Sequence, residues 1–273
     1  MTPLCGAAPL VSVVSGKGGV GKTNLAANLA IAAARRGARA LLVDGDLGLA
    51  KVDVLLGMVP GPTLADVAAG RCPLDAALAA GPSGVAVLPA AAGRADLAAL
   101  PARALAPLAA ALGRLARGYD LALIDAASGV GPAVVALAGA CARRLLVATP
   151  EPTSLADAYA TLKVLTREAG PAPAALLVNE ASGECEARAV HERLARLAAR
   201  FLDLELGWFG WLPHDPRVAE AVARQRAVVE LFPRSRAARH LTALAERLLA
   251  DARATAGAQA AADARGGDGA AAP

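Results

Sequence analysis

The chain has 273 residues, which is long enough to bury the core of one large α/β domain. Its hydrophobic content of 56% comes mostly from alanine, and its longest uncharged stretch, residues 126–142, falls short of the roughly 20 residues that span a membrane, so a spanning helix is excluded. The four cysteines lack the C-x-x-C spacing of a zinc, iron–sulfur or redox site, and the net charge of +4 does not single out DNA or anionic lipid.

The first informative segment is SGKGGVGKTN, residues 15–24, which lies between an apolar run and a segment of helical period. This order of strand, glycine-rich loop and helix predicts a phosphate-binding loop. The G-x-x-x-x-G-K-[ST] spacing predicts that Lys22 reaches the β- and γ-phosphates of ATP and that the Thr23 hydroxyl binds Mg²⁺. The alternative is a glycine-rich turn that binds nothing. The predicted nucleotide-binding residues are Gly16, Lys17, Gly18, Gly19, Val20, Gly21, Lys22, Thr23 and Asn24.

The loop also carries a second lysine, Lys17. The string KGGVGKT resembles the deviant Walker A motif of the MinD/ParA group of ATPases. The resemblance implies that Lys17 is catalytic in trans, on the nucleotide of a partner subunit, and that the chain forms a homodimer around two ATP molecules. The alternative is a solvated loop lysine.

Residues 39–44 read as a buried strand that ends in a carboxylate, and DGDLGLAKVDVLLG follows from Asp44. Two carboxylates beside a triphosphate suit contact with the Mg²⁺ sphere and orientation of the attacking water. The segment resembles the first switch of the flagellar-number regulators of the group, the FlhG/FleN branch. That resemblance implies that Asp44 serves the metal and that Asp46 positions the water, with Lys51 where an asparagine is expected. The alternative for Asp46 is a helix N-cap.

The segments between this one and residue 119 are predicted to form the structural framework and to carry no site residues. Thr63 and Asp66 predict a capping box, residues 84–88 a strand and residues 101–117 a helix. The run YDLALIDAAS then ends an apolar strand at Asp125, as a Walker B strand does, so Asp125 is predicted to hold a Mg²⁺-bound water. Gly129 is expected in a flexible second switch.

Residues 144–149 predict another buried strand, and TPEPTSLADAYATLKVL predicts a turn and a helix. This string resembles the flagellar-number regulators most closely, although Glu151 and Asp157 can also be a plain turn acid and a solvated helix acid. The strand at 174–179 ends at Asn179, whose amide can pair with an adenine edge; the resemblance assigns it that role, and the alternative is a turn residue.

Residues 186–201 predict an amphipathic helix, and residues 206–212 a last strand that holds both tryptophans. The turn Pro213-His214-Asp215 resembles the group's Pro-x-Asp adenine-pocket turn, which implies that Pro213 and Asp215 contact the nucleotide. A final helix is predicted at 235–254, with a leucine stripe suited to packing on the sheet. The residues predicted to face inward on the amphipathic helix are Val190, Leu194, Leu197 and Phe201.

The alternation of strands and helices predicts a doubly wound, mainly parallel sheet with helices on both faces, a MinD-like P-loop NTPase. We expect one ATPase domain over residues 1–254 and a disordered Ala/Gly/Asp tail over 255–273. The N-terminus has no basic region, which predicts no cleaved signal peptide and a cytoplasmic protein. None of the fourteen residues before Ser15 matches the DQA-x-x-L-R motif that the flagellar regulators commonly carry.

Three functions follow from the resemblance, each with ATP and Mg²⁺ as cofactors. The first is an ATP-hydrolysing dimerisation switch that sets flagellar number or placement through protein partners such as an FlhF-like GTPase, switch-complex proteins or regulators. The second is a ParA-type segregation or cargo-positioning ATPase that binds DNA or membrane with ATP. The third, a metabolic or iron–sulfur-carrier ATPase of the same fold, needs a cysteine pair that the sequence lacks. We expect no DNA binding, and membrane binding that is weak or ATP-dependent at most, on the cytoplasmic face of the inner membrane.

Overall fold

The structure is a computed structural model that describes residues 10–59, 61–90 and 100–267, with side chains up to residue 254. Its described strands form one sheet in the order β3-β4-β2-β5-β1-β6-β7-β8, parallel throughout except for the short β3–β4 pair. The strands are β1 Leu10–Ser15, β2 Ala40–Gly45, β3 Ala79–Ala80, β4 Ala86–Leu88, β5 Leu121–Ser128, β6 Arg143–Ala148, β7 Ala174–Ala181 and β8 Leu206–Pro213. The central strands are apolar on both faces, which is the pattern that a sheet covered on both sides requires.

Helices cover both faces. They are α1 Lys22–Ala34, α2 Val52–Leu55, α3 Leu64–Ala68, α4 Ala102–Ala116, α5 Pro132–Gly139, α6 Pro152–Glu168, α7 Glu184–Leu202, α8 Pro216–Ala223, α9 Val228–Leu231 and α10 Arg236–Gly267. Helices α1, α8, α9 and α10 bury their apolar residues against one face, and α4 to α7 pack on the other. This architecture confirms the predicted doubly wound sheet. Among the described helices, none is long and apolar enough to cross a membrane.

The strand order places the site. Strand β1 lies between β5 and β6, so the chain leaves β1 toward one half of the sheet and later returns to the other. In a doubly wound fold such a reversal opens a crevice at the carboxyl ends of the strands. The predicted site residues at the ends of β1, β2, β5, β7 and β8 therefore all lie on the side of the sheet where the parallel strands have their carboxyl ends.

Two predicted details were wrong. Leu197 and Phe201 of α7 are 38% and 59% exposed, whereas Val190 and Leu194 are buried as predicted. The buried stripe of α7 instead includes Ala187 and Ala198. The last helix does not stop at Ala254 but continues to Gly267, because this alanine-rich segment has a high intrinsic helix propensity. Residues 268–273 of the predicted tail lie outside the described residues.

Candidate nucleotide site

The site begins with the loop between β1 and α1. Helix α1 starts at Lys22, and the residue before it, Gly21, has a φ of 85°, a left-handed conformation that favours glycine. The first backbone N–H groups of α1 have no partner within the helix, and they carry the positive end of its dipole. This end of the loop is therefore built to receive an anion, as the sequence predicts.

Two glycines of the loop touch other elements so closely that a side chain would not fit. A Cβ on Gly16 would lie 2.2 Å from the backbone oxygen of Asp157 in α6, and a Cβ on Gly21 would lie 2.5 Å from Asn179 Nδ2. The same amide of Asn179 donates to the Val20 carbonyl at 2.9 Å. The loop is thus held by α6 and by the end of β7. Asn179 is placed beside the loop, where its predicted role at the adenine remains a prediction.

Lys17 and Lys22 differ in their surroundings. Lys17 forms an ion pair with Glu151, just before α6, and the two side chains are 38% and 58% exposed. Lys22 is only 9% exposed, and its Nζ lies 3.3 Å from Asp125 Oδ1. The two lysines of this short loop therefore differ in location: Lys22 lies inside the site, and Lys17 lies at the surface. Sequence reasoning gave Glu151 no part in this pair, since nothing local marks a contact across 134 positions.

Asp44 and Asp125 lie side by side, because they are direct neighbours in the parallel register of β2 and β5. Each is 1% exposed. Asp44 accepts three backbone hydrogen bonds, from Asp46, Lys51 and Val52 at 3.0, 2.9 and 3.1 Å. Burial nevertheless raises the pKa of Asp44 to about 7, with a smaller upward contribution from the charge of Asp125.

Asp125 is compensated by side chains, whereas Asp44 is compensated by backbone N–H groups. Burial raises its pKa, while Lys22 and the Thr23 hydroxyl act in the opposite direction without cancelling that effect. Two buried carboxylates and a hydroxyl form a set of hard oxygen donors with an excess of negative charge, which suits Mg²⁺. The residues therefore fit the predicted metal: Thr23, Asp44 and Asp125 would hold it directly or through water.

Asp46 follows the end of β2, and its side chain is 16% exposed. Its carboxylate accepts a hydrogen bond from the Leu49 backbone at 3.0 Å and lies 3.6 Å from Lys51 Nζ. Helix α2 starts later, at Val52, so Asp46 caps a turn and not the helix N-terminus considered as the alternative. The Lys51 side chain, unexpected at this position, gives the carboxylate a cationic neighbour.

The predicted adenine-pocket residues lie at the end of β8. Pro213 pairs with Ala181, so this strand end lies next to the end of β7 that carries Asn179. Both oxygens of Asp215 are engaged: Oδ1 accepts from the Arg217 backbone at 3.0 Å and Oδ2 from the Ala237 backbone at 2.9 Å. Although burial acts to raise the pKa of Asp215, these hydrogen bonds lower it overall. Asp215 therefore joins the starts of α8 and α10, which the sequence did not indicate.

Comparison with known proteins agrees with this geometry. The family model of the CobQ/CobB/MinD/ParA nucleotide binding domain matches residues 11–228. The Antiactivator FleN of Pseudomonas aeruginosa is 44% identical over 88% of this chain and 85% of its own length. The Flagellum site-determining protein YlxH of Helicobacter pylori is 28% identical over 82% of this chain and 76% of its own.

A solved structure matches the fold over a similar span. The septum site-determining protein MinD of Pyrococcus horikoshii, complexed with Mg-ADP, superimposes with a TM-score of 0.75. The two sequences are 28% identical, and the superposition covers 88% of this chain and 95% of the MinD chain. The match extends beyond the loop to the whole doubly wound sheet.

Proposed function

The chain belongs to the CobQ/CobB/MinD/ParA nucleotide-binding family, and from that premise we propose that it is a Mg²⁺-dependent ATPase whose ATP-bound dimer regulates the number or placement of flagella. The names of two relatives, an antiactivator and a flagellum site-determining protein, support the flagellar assignment. By this proposal the ATP form opposes an activator or a flagellar assembly protein, and hydrolysis ends that action.

The observation that carries the proposal is the difference in burial and in ion-pair partner between the two lysines of the loop. Lys22 is buried beside Asp125, and this position supports a role for it at phosphates bound within its own chain. Lys17 has an exposed ammonium, and its ion-pair partner among the described residues is Glu151 on the same surface. An exposed ion pair contributes about 0–1 kcal/mol, so a phosphate group can readily replace Glu151 as the partner of Lys17. A second subunit would bring such a phosphate.

The remaining residues have roles that follow from their positions. The backbone of the loop and Lys22 bind and orient the triphosphate, while Asp44 and Asp125 balance the cation. Mg²⁺, when bound, supplies charge neutralisation at the β- and γ-phosphate oxygens. Asp46, the more accessible of the acids at the end of β2, accepts a hydrogen bond from the attacking water and fixes its direction.

The dimer is tested by two substitutions at the exposed ion pair. Lys17→Ala should remove dimerisation with a non-hydrolysable ATP analogue while leaving a folded monomer that still binds the analogue. Glu151→Gln should leave dimerisation intact or strengthen it, because it frees Lys17 without removing it. Size-exclusion chromatography with light scattering measures both, and an unchanged Lys17→Ala dimer would refute the role in trans.

The flagellar role is tested separately in cells. A strain that carries Lys17→Ala at the chromosomal locus should have an altered number or position of flagella, counted by electron microscopy. A normal count, together with ATP-dependent DNA binding that falls steeply with salt in a gel shift, would favour the segregation class of ATPase instead.

A further inference from the structure

Strand β8 forms one edge of the sheet, and side chains of α10 lie within hydrogen-bond distance of three of its carbonyl oxygens. Arg247 of α10 donates to the carbonyls of Phe209 and Trp208 at 3.0 and 2.9 Å. His240 lies 3.3 Å from the Trp211 carbonyl through Nδ1. An occupied edge does not readily accept an added strand. A partner at this edge would therefore be recognised through side chains.

A groove of about 400 Å³ runs between β8 and α10. We call it the β8–α10 groove; its walls include Trp211, Arg236, Arg239, His240 and Arg247. Gly210 forms part of the floor, with a φ of 146°, and a Cβ there would meet Leu244 Cδ2 at 2.6 Å. The absence of a side chain at this position therefore lets Leu244 of α10 pack closely on β8 at the groove.

The groove is positively charged. Arg236, Arg239 and Arg247 are exposed and follow one side of α10. In the described part of the chain, none of the three makes an ion pair with a carboxylate, unlike Arg188, which pairs with Glu184 at 3.1 Å. Guanidinium groups bind carboxylates through paired, charge-assisted hydrogen bonds. Arg247 already donates to the carbonyls of Phe209 and Trp208, so the guanidinium groups that the groove offers to an anionic ligand are those of Arg236 and Arg239.

The aromatic residues decide between an acidic protein and a nucleic acid. Single-stranded nucleic acids bind by stacking bases on open aromatic faces. The tryptophan that lines the groove, Trp211, is already engaged, because the His240 ring meets it edge to face with the ring centroids 4.7 Å apart. Rings that are already engaged offer little stacking surface, whereas partly buried tryptophan flanked by arginine is the composition of protein-binding hot spots.

We propose that the β8–α10 groove binds an acidic segment of a partner protein. The carboxylates of that segment pair with Arg236 and Arg239, and one apolar side chain packs against Trp211 above Gly210. This binding site goes beyond the nucleotide site. Its test is independent of the proposed function, because it needs neither hydrolysis nor dimerisation.

The groove contains its own reporter, because Trp211 lines it and the chain has only one other tryptophan, Trp208. The probe is the synthetic peptide Asp-Glu-Leu-Asp-Glu-Leu, titrated into the full chain while tryptophan emission is recorded. We expect saturable quenching or a spectral shift. The amide counterpart, Asn-Gln-Leu-Asn-Gln-Leu, should give no change because it lacks the charge.

Two double variants complete the test. Arg236→Gln/Arg239→Gln should weaken peptide binding at least about tenfold, since each lost charged hydrogen bond is worth more than 1 kcal/mol. Arg193→Gln/Arg196→Gln removes the same charge at the same spacing from exposed positions on α7, and it should bind as the parent chain does. Circular dichroism checks that both variants fold.

Three results would overturn the proposal. One is the absence of any tryptophan response to the acidic peptide, and another is an equal loss in both double variants, which would indicate unspecific charge attraction. The third is Arg236/Arg239-dependent binding of single-stranded DNA with none of the peptide, which would make the groove a nucleic-acid site.

Discussion

Lys22 and Asp125 depend on each other at the residue scale, since the Lys22 ammonium lies 3.3 Å from a carboxylate whose pKa is raised by burial. We predict that Lys22→Met abolishes ATP binding and lowers the free energy of unfolding by about 2 kcal/mol. The second effect arises because Asp125 is left buried without its charged partner. Calorimetric titration with ATP and chemical denaturation measure the two effects.

The double variant Lys22→Met/Asp125→Asn separates them. A neutral amide needs no counter-charge, so stability should return most of the way to that of the parent chain while ATP binding stays lost. If the double variant were as unstable as the single one, the buried pair would not be the cause.

Asp46 presents a different question, because its carboxylate both supports a turn and is proposed to orient water. Asp46→Ala should slow hydrolysis about 100-fold or more and still bind ATP, so that the dimer accumulates. Asp46→Asn keeps an oxygen that can accept from the Leu49 N–H and removes only the charge. We expect it to be equally slow in a phosphate-release assay. Near-normal turnover in Asp46→Asn would assign the residue to the turn alone.

At the scale of elements, the phosphate loop is held by helix α6, which follows it by more than a hundred residues. Gly16→Ala should destroy ATP binding, because the new Cβ would meet backbone atoms of Asp157 that cannot rotate away. Gly18→Ala is the matched control: its Cβ would meet nothing closer than Ser128 Oγ at 3.7 Å. Fluorescent-nucleotide titration should show binding by the Gly18 variant only. Equal binding by both variants would mean that α6 yields to the loop.

The elements themselves could be predicted from the sequence, and so could the loop and the strand-terminal acids, because each depends on a local pattern. The inward face of α7 could not. In a chain this rich in alanine, Ala187 and Ala198 are buried in the core but carry no stronger hydropathy signal than exposed alanines do. Leu197 and Phe201 are larger and more apolar, and they also recur at helical spacing. Hydropathy therefore predicts them as core residues in place of the buried alanines.

Contacts between elements that are distant in sequence also could not be predicted from local sequence patterns. The ion pair of Lys17 with Glu151 and the hydrogen bond from the Ala237 backbone to Asp215 join segments whose separation in sequence carries no period or spacing. For Asp215 the resemblance suggested only the nucleotide. The geometry adds that any movement of this residue would shift the start of α10, and with it Arg236 at the wall of the β8–α10 groove.

At the scale of the whole molecule, the question is whether the last helix serves the sheet or a lipid surface. Leu241, Leu244 and Leu248 of α10 are 2%, 8% and 3% exposed and belong to the core beside β8. Moving each leucine out of that core would cost roughly 1.5–3 kcal/mol. Burial in a lipid surface would recover about the same free energy and would give no net gain. The apolar stripe is therefore already used, as the sequence analysis favoured.

We therefore predict that membrane binding is weak at most and requires ATP together with anionic lipid. The exposed arginines of α10 give each subunit a small electrostatic attraction, and only a dimer that presents two copies gains useful avidity from it. Sedimentation with phosphatidylglycerol vesicles should bring down a minor fraction with a non-hydrolysable ATP analogue and none with ADP or with neutral vesicles. Raising the salt concentration should release that fraction, because exposed charges are screened within about 10 Å at 0.1 M. Strong sedimentation of the nucleotide-free monomer would show instead that α10 leaves the sheet to enter the lipid.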